Sequence, residues 1–355
     1  MNIKVPASEL NRMMKALSQC IDPKDQNRSN IEIIHDNNTL TARGTNGSFS
    51  AVMSTPLLGG DGESFCVDGS LFARVCSMCS GDITITTEGK TCIVKGAGRT
   101  RLPIVSAKIP ANVPVTGKVI TVNASQFAYS YNAVEFAIAT DQTRLVLTGI
   151  HMNCEKGSIT MTTLDGFKMA SDTQTCECDD VVMVVPGTFA KLIKNNTVSG
   201  ETIKIITDGK RIQAETDGML LSASLLANEY PDFKRILPTD FKTEILIDTE
   251  PLRDALKNSS AICDEAKLIV TLKASGDKLT VSSKSSKAEY EAGIDCEQTG
   301  PDITIAFNQK YLVSTINSIT DDKVVIKFNT QSSPCVIDTR ENSGYRLILP
   351  VRIAG

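Results

Sequence analysis

The stretch IKVPASEL at residues 3–10 decides the fold, because its pattern recurs twice at spacings of roughly a third of the chain. The second copy is ITVNASQF at residues 120–127, and the third is ILIDTEPL at residues 245–252. Each copy has the pattern of an alternating strand followed directly by an amphipathic helix. Asn123 and Asp248 are expected to cap their helices, and Pro251 suits a first helical turn. The sequence therefore predicts tandem copies of one structural unit.

A weaker copy lies midway through each third, at residues 66–72, 185–192 and 306–312. Each is followed by two alternating segments joined by a turn, as in ITITTEGK at residues 83–90, and this pattern is typical of antiparallel hairpins. We predict an α+β fold of three repeated domains, residues 1–117, 118–240 and 241–355, each with two copies of a helix-plus-antiparallel-strands unit. Three independent α+β domains on linkers are the alternative, but the linkers are short and lack Gly/Ser-rich stretches.

Composition limits the class of protein. The 355 residues exceed one ordinary core, and 41% hydrophobic with 22% charged residues is usual for a soluble globular protein. No apolar run approaches the ~18 residues of a membrane helix, and the N-terminus lacks a signal pattern, so we expect a cytoplasmic protein without a membrane partner. The eleven scattered cysteines are expected to be reduced. With only two histidines, the chain offers few candidate histidine ligands or bases for a metal or catalytic site.

The charges are distributed unevenly. The formal net charge is −4, yet the six predicted helices carry eight basic residues against only Glu9, Glu250 and Asp254. If the helices share a face, that face attracts phosphates without reading base sequence; the alternative is that Lys and Arg are simply good helix formers on solvated surfaces. The eight basic residues are Arg12, Lys15, Arg74, Lys191, Lys194, Arg253, Lys257 and Lys310.

The ends of the chain also differ in charge. Residues 1–118 hold 13 basic and 10 acidic residues, whereas residues 241–355 hold 14 and 16. A basic first domain and an acidic third domain suit a head-to-tail contact between two copies, and such a contact can close a ring.

Four motifs resemble those of the bacterial β sliding clamp family, the β subunit of DNA polymerase III and its processivity factor. They are TRLVLTGI at residues 143–150, LDGFKMA at 164–170, NEYPDFKRILP at 228–238 and YRLILPVRI at 345–353. The resemblance implies a head-to-tail homodimer whose six domains form a ring around double-stranded DNA, with helices lining the hole. It also implies that Lys24 and Arg28 join the DNA-facing residues.

The resemblance further implies a hydrophobic cleft that binds short peptide motifs of the replicative polymerase, the clamp loader and repair proteins. Peptide grooves combine apolar pockets with a basic rim, and the motifs offer both. We expect Lys168, Arg235 and Arg352 at the rim. The cleft residues carried over are Leu147, Gly166, Phe167, Lys168, Met169, Pro231, Arg235, Ile236, Ile348, Leu349, Pro350, Val351 and Arg352.

The same resemblance implies a dimer interface of basic and acidic edges around an apolar centre. It comprises Arg99, Arg101, Leu102 and Ile104 on one side and Ile262, Glu289 and Glu291 on the other. Two departures from the family stand out. Lys287 and Ala292 reduce the number of acidic residues at the acidic edge, which predicts a weaker dimer. Residues 167–169 are Phe-Lys-Met where the family usually has His-Arg-Leu, which predicts an altered peptide preference.

Two rival functions come from other classes. Cys76 with Cys79, and Cys176 with Cys178, are spaced like thiolate metal ligands, but no histidine accompanies either pair. There is also no phosphate-binding loop of the Gly-x4-Gly-Lys-Ser/Thr type. We therefore expect no enzymatic activity and no metal or cofactor. A repeat-built protein-interaction scaffold that does not encircle DNA is the other alternative.

Overall fold

The computed structural model describes residues 1–263, 268–339 and 344–352, and these ranges contain six α-helices and 26 strands. The first third contains β1 (Asn2–Pro6), α1 (Ala7–Leu17), β2 (Asn30–Asp36), β3 (Thr39–Thr45), β4 (Phe49–Pro56), β5 (Gly59–Asp61), β6 (Phe65–Asp68), α2 (Gly69–Ser77), β7 (Asp82–Glu88), β8 (Thr91–Lys95) and β9 (Arg99–Pro103).

The central third contains β10 (Lys118–Asn123), α3 (Ala124–Val134), β11 (Gly149–Glu155), β12 (Ser158–Leu164), β13 (Lys168–Thr175), β14 (Glu177–Cys178), β15 (Val181–Pro186), α4 (Gly187–Asn196), β16 (Thr202–Thr207), β17 (Arg211–Thr216) and β18 (Met219–Ser224). Short 3₁₀ helices cover Glu135–Ala137, Gln142–Thr148 and Phe233–Ile236.

The last third contains β19 (Thr243–Asp248), α5 (Thr249–Ser260), β20 (Ile269–Ala274), β21 (Lys278–Lys284), β22 (Glu289–Thr299), β23 (Ile303–Asn308), α6 (Gln309–Asn317), β24 (Lys323–Phe328), β25 (Cys335–Thr339) and β26 (Tyr345–Ile348). Each of the six helices follows directly on a strand, and the predicted hairpins form as β7–β8, β16–β17 and β24–β25. The α+β class and the six-fold repeat of a helix with antiparallel strands are confirmed.

The strands form three sheets. Their orders are β5-β1-β7-β8-β9, then β14-β10-β16-β17-β18-β4-β3-β2-β6, and then β15-β11-β12-β13-β26-β25-β24-β19-β22-β21-β20-β23. Two of the sheets cross the expected domain boundaries, because β18 pairs with β4 and β13 pairs with β26. The repeats that end at β4, β13, β18 and β26 are thus each joined to a strand from a different third of the chain.

By backbone contacts the chain divides into two compact units. The first unit comprises Met1–Ser125, Cys176–Val181 and Thr188–Leu226, and the second comprises Gln126–Thr175, Val182–Gly187 and Ala227–Gly355. The two boundary-crossing pairings explain this division, because each joins part of the central third to one neighbour. Within the described ranges, no helix is both long enough and apolar enough to span a membrane.

Helix packing builds the core of each unit. In the first unit α1 packs against α2, and in the second α5 packs against α6. Leu252, Leu256, Leu312 and Ile316 on α5 and α6 are buried against the strands of the last third. Each such side chain contributes about 1.5–3 kcal/mol of hydrophobic stabilisation.

The helix caps differ from the expectation at one position. The Asn123 carboxamide accepts a hydrogen bond from the Ser125 amide at 2.8 Å, as expected. Asp248 precedes α5 but accepts no hydrogen bond from that helix, so the expectation of a side-chain cap there was wrong. Its carboxylate instead lies 3.4 Å from the Lys323 ammonium, because β19 and β24 pair directly at these two residues.

Candidate functional site

The candidate cleft is built by four chain segments, all within the second unit. They are the 3₁₀ helix Gln142–Thr148, the β12–β13 turn, the segment 228–238 and the residues after β26. Lys168 pairs with Ile348 in the β13–β26 ladder, and the Leu349 amide donates to the Phe167 carbonyl at 2.9 Å. The structure therefore brings the β12–β13 turn and the C-terminal segment into direct contact.

The expected apolar residues divide into a buried group and an exposed group. Leu147, Met169 and Ile348 are almost fully buried, whereas Phe167 and Ile236 are more than half exposed. Leu349 is 36% exposed, and Leu145, which the sequence interpretation did not select, is 51% exposed. Large apolar side chains exposed on several converging segments mark a surface that binds a partner. Of the remaining positions, Pro231 and Arg352 are exposed and Pro350 and Val351 are half-buried.

The β12–β13 turn is shaped by Asp165 and Gly166. The Asp165 carboxylate accepts hydrogen bonds from the amides of Phe167 and Lys168 at 2.9 and 2.8 Å. Gly166 has a φ of +92°, a conformation that side-chain-bearing residues rarely adopt. This Asp-Gly pair therefore presents the Phe167 ring on the outside of the turn.

Lys168 lies under this turn and not at the rim of the cleft. Its ammonium donates to the Phe136 carbonyl at 2.6 Å and lies 3.3 Å from the Asp165 carboxylate. It also lies 4.9 Å from the centre of the Tyr311 ring, and its side chain is only 10% exposed. The lysine holds the turn, the Glu135–Ala137 segment and α6 together, so it is not available as a rim cation.

Tyr311 is the second cleft residue that the sequence interpretation missed. Its ring stacks on Phe167 with centroids 5.6 Å apart and an interplanar angle of 29°. The pair forms a continuous aromatic surface between the turn and α6, and such pairs contribute about 0.5–1.5 kcal/mol beyond their buried area. The only sequence signal was the position of Tyr311 in the repeated AFNQKYL segment, which we assigned to the fold.

The segment 228–238 is attached to the cleft by an aromatic cluster. The Tyr230 hydroxyl accepts a hydrogen bond from the Leu164 amide at 3.1 Å. The His151 ring lies 5.2 Å from the Tyr230 ring and 5.6 Å from the Phe233 ring, measured between centroids. Arg235 remains 86% exposed and pairs with Asp232 at 2.9 Å, which keeps a cation at the rim.

We expect acid to loosen this segment through His151. Burial and the nearby Lys234 lower the pKa of His151. The unfolded chain, with a His pKa of about 6.5, then binds a proton more readily than the folded chain, so stability falls as the pH decreases through about 6.5. Thermal unfolding at about pH 7.5 and about pH 5.5 should show a smaller loss of stability in His151→Gln than in wild type. His35→Gln is the matched control, and an equal loss in wild type and His151→Gln would contradict the assignment.

The eight basic residues expected on helices lie on the six α-helices, but they are not equally exposed. Arg12 bonds to Glu9 at 3.1 Å and to the Ser54 carbonyl at 3.3 Å, and Arg253 pairs with Glu250 and donates to the Ile319 carbonyl. Lys194 is half-buried. The exposed members are Lys15, Arg74, Lys191, Lys257 and Lys310 on helices, and Lys24 and Arg28 between α1 and β2. The six described α-helices hold eight basic and three acidic side chains, as predicted.

The residues expected at a dimer interface lie on two exposed strand edges. β9 is the last strand of its sheet and pairs only with β8 among the described residues. Residues 289–295 of β22 pair with β21, whereas β19 pairs only with the later part of β22. Arg99, Arg101, Glu289 and Glu291 are exposed. Leu102 is buried in its own unit, and Ile104 and Ile262 are half-buried.

Repeated helix-and-sheet units, basic helices and an exposed apolar site together define the DNA clamp class of protein. Among solved structures, the chain is similar to DNA polymerase III beta subunit from Thermotoga maritima, with a TM-score of 0.93 at 22% identity over 99% of this chain and 100% of that one. It is also similar to the Bacillus subtilis sliding clamp, with a TM-score of 0.92 at 19% identity over 100% of both chains.

The sequence comparisons identify the family. The model of the DNA polymerase III beta subunit central domain matches residues 121–232, and that of the C-terminal domain matches residues 234–352. The beta sliding clamp of Streptomyces coelicolor is 24% identical over 311 residues, covering 81% of this chain and 82% of that protein. The Bacillus subtilis beta sliding clamp is 26% identical over 226 residues, so the match spans only 60% of its length. The chain belongs to the DNA polymerase III beta subunit family.

Proposed function

We propose that this protein is a DNA sliding clamp. Two copies form a head-to-tail ring around double-stranded DNA, and the cleft tethers the replicative polymerase, the clamp loader and repair proteins through short peptide motifs. The observation that carries the proposal is the family match over both the central and the C-terminal parts of the chain. The three domains of this clamp are residues 1–117, 118–240 and 241–355, and the ends of the two matched ranges support these boundaries.

The two strand edges support the ring. In antiparallel sheets, backbone groups point alternately toward and away from the neighbouring strand. The Ile104 amide donates to the Lys90 carbonyl, so the alternate residues Arg99 and Arg101 direct their backbone groups away from β8. The Ser285 amide donates to the Ala288 carbonyl, so Glu289 and Glu291 direct their backbone groups away from β21. An outward edge with two arginines and an outward edge with two glutamates can join into one continuous sheet between copies.

A groove beside the acidic edge is also suited to receive β9 of a second copy. It has a volume of about 460 Å³ and lies between α5 and β22, with Asp254, Asn258, Tyr290 and Asp295 among its lining residues. Ala292 and Ile294 are half-buried against the core on the same strand. The acidic lining complements the exposed Arg99 and Arg101 side chains of β9.

The helices provide the DNA-facing surface. Their excess of basic residues attracts phosphates without base recognition, so binding to open DNA is weak and sensitive to salt. Persistence on DNA comes from encirclement. We also propose that the clamp acts in the cytoplasm, carries out no chemical reaction and requires no cofactor or metal.

Particle images and sedimentation test the proposed assembly. Negative-stain images of the full chain should show closed rings, and sedimentation at micromolar concentration should give the mass of a dimer. Because Lys287 and Ala292 thin the acidic edge, dilution should release monomers more readily than from a clamp with a fully acidic edge. Monomers at micromolar concentration, with no rings in the images, would leave a scaffold that does not encircle DNA as the better account.

A further inference from the structure

A second groove lies in the first unit, where residues 108–115 cross the junction of β4 and β18. Its volume is about 490 Å³, and its walls come from Asn27–Arg28, the β3–β4 turn, residues 108–115 and the ends of β17 and β18. The lining includes three cations, Arg28, Lys108 and Arg211. All lining residues fall within the described range 1–263, and none of them carries a carboxylate. A cationic lining in a chain with net charge −4 favours an anionic ligand.

The segment 108–115 is fastened at both ends and exposed between them. Ile109 and Val115 are each 3% exposed, and the Val115 amide donates to the buried Gln213 carboxamide at 3.2 Å. The Ser222 hydroxyl donates to the Asn112 carboxamide at 2.8 Å. Val113 is 63% exposed and lines the groove. Residues 108–115 thus form a groove wall that is held at both ends and exposes the apolar Val113 side chain between them.

Two of the three cations are held in place. The Arg28 guanidinium donates to the Asn46 carbonyl at 3.2 Å, lies 3.7 Å from the Asp25 carboxylate, and lies against Gly47, where a Cβ atom would approach its Cζ to 2.9 Å. The Arg211 guanidinium pairs with the Asp208 carboxylate through its Nε at 3.0 Å and its Nη2 at 2.9 Å. Each guanidinium has five donor hydrogens in a fixed plane, so the donors that these partners do not use remain oriented for a ligand.

The remaining lining distinguishes between two classes of anion. Grooves for single-stranded nucleic acid combine cations with aromatic side chains on which the bases stack, and no lining residue of this groove, in the described part of the chain, is aromatic. Ile109, Pro110, Ala111, Val113 and Val115 make one wall apolar, and Ser and Thr hydroxyls line the opposite side. An apolar wall beside fixed cations fits a peptide that alternates acidic and aliphatic side chains.

We propose that this groove is a second docking site, which binds an extended acidic segment of a partner protein. Carboxylates of that segment pair with Lys108 and Arg211, and an aliphatic side chain packs on Val113. The site goes beyond the proposed clamp function, because it lies wholly in the first unit, whereas all the cleft residues lie in the second.

Fluorescence anisotropy with a labelled peptide of alternating Glu and Val residues tests the proposal on the full chain. Saturable binding is expected below about 1 mM, and Lys108→Gln with Arg211→Gln should weaken it by about tenfold or more, the scale of losing one or two charge-assisted hydrogen bonds. Val113→Glu, at an exposed position that does not endanger folding, should also abolish binding. Lys90→Gln with Lys204→Gln removes the same charge from exposed positions outside the groove and should leave affinity unchanged.

Three outcomes would overturn the proposal. The first is the absence of saturable binding, and the second is an equal loss of affinity in both double variants. The third is displacement of the probe by an oligothymidylate at a lower concentration than by unlabelled peptide, which would make the groove a nucleic-acid site. Leu349→Ala should not change probe affinity, because Leu349 belongs to the cleft. This control separates failure of the second site from failure of the clamp function.

Discussion

Deleting Leu349–Gly355 is expected to abolish stimulation of the polymerase while leaving the dimer intact. The Leu349 amide donates to the Phe167 carbonyl, and the Val351 amide donates to the Ala306 carbonyl at 2.8 Å, so residues 349–352 form one edge of the cleft. The proposed dimer contacts lie elsewhere, on β9 and β22. Primer-extension length with the cognate polymerase and loader would measure the loss, and sedimentation would verify the dimer.

A single substitution should show how the binding energy is distributed. Leu349→Ala is expected to cost about 1–3 kcal/mol of peptide binding, the usual scale for losing one buried apolar anchor. Fluorescence polarisation with the C-terminal peptide of the polymerase would measure it. Leu58→Ala is a matched control, because Leu58 is 56% exposed and lies outside the cleft segments. Unchanged affinity in both the deletion and Leu349→Ala would show that partners bind elsewhere.

Reversing the basic edge is expected to convert the dimer to monomers. Arg99→Glu with Arg101→Glu places four glutamates at each interface in place of two Arg–Glu pairs. With about 1.5–3 kcal/mol for each charge-assisted bond, the dimer dissociation constant should rise by about a hundredfold or more. Glu289→Arg with Glu291→Arg should have the same effect through four arginines.

Mixing the two reversed variants should restore the dimer. In a head-to-tail heterodimer, each of the two interfaces then joins two glutamates to two arginines, so both become complementary. Lys118→Glu with Lys204→Glu, which changes the net charge by the same amount at exposed positions on β10 and β16, should remain dimeric. Persistence of the dimer in either reversed variant, or a mixture that stays monomeric, would show that the ring closes through other residues.

The repeated architecture was predictable because each helix follows its strand locally. The alternation before α1, α3 and α5 is visible in the sequence, and no distant contact is needed to read it. The division into two compact units was not predictable in this way. It follows from β18 pairing with β4 and β13 pairing with β26, and such pairings depend on backbone groups far apart in the chain. Asp248 shows the same limit, because its partner Lys323 belongs to another strand.

The cleft was predictable as a set of segments but not as a set of contacts. The motifs identified Phe167 and Leu349, yet nothing in the sequence indicated that Phe167 would stack on Tyr311. Lys168 was expected at the rim because the family resemblance includes it in the cleft and peptide grooves combine apolar pockets with a basic rim. The structure buries it instead, because Asp165, the Phe136 carbonyl and the Tyr311 ring together satisfy its charge.

Release from DNA by cutting a circle tests encirclement most directly. The protein, loaded onto a nicked circular duplex by its cognate loader and washed at moderate salt, should stay bound, because its helix contacts are weak but the ring has no exit. Cleavage of that circle at one site should then release the protein within the time needed to slide off an end. Equal retention on the circle and on its linear product at the same salt concentration would contradict the account, because the protein would then be held by contacts and not by topology.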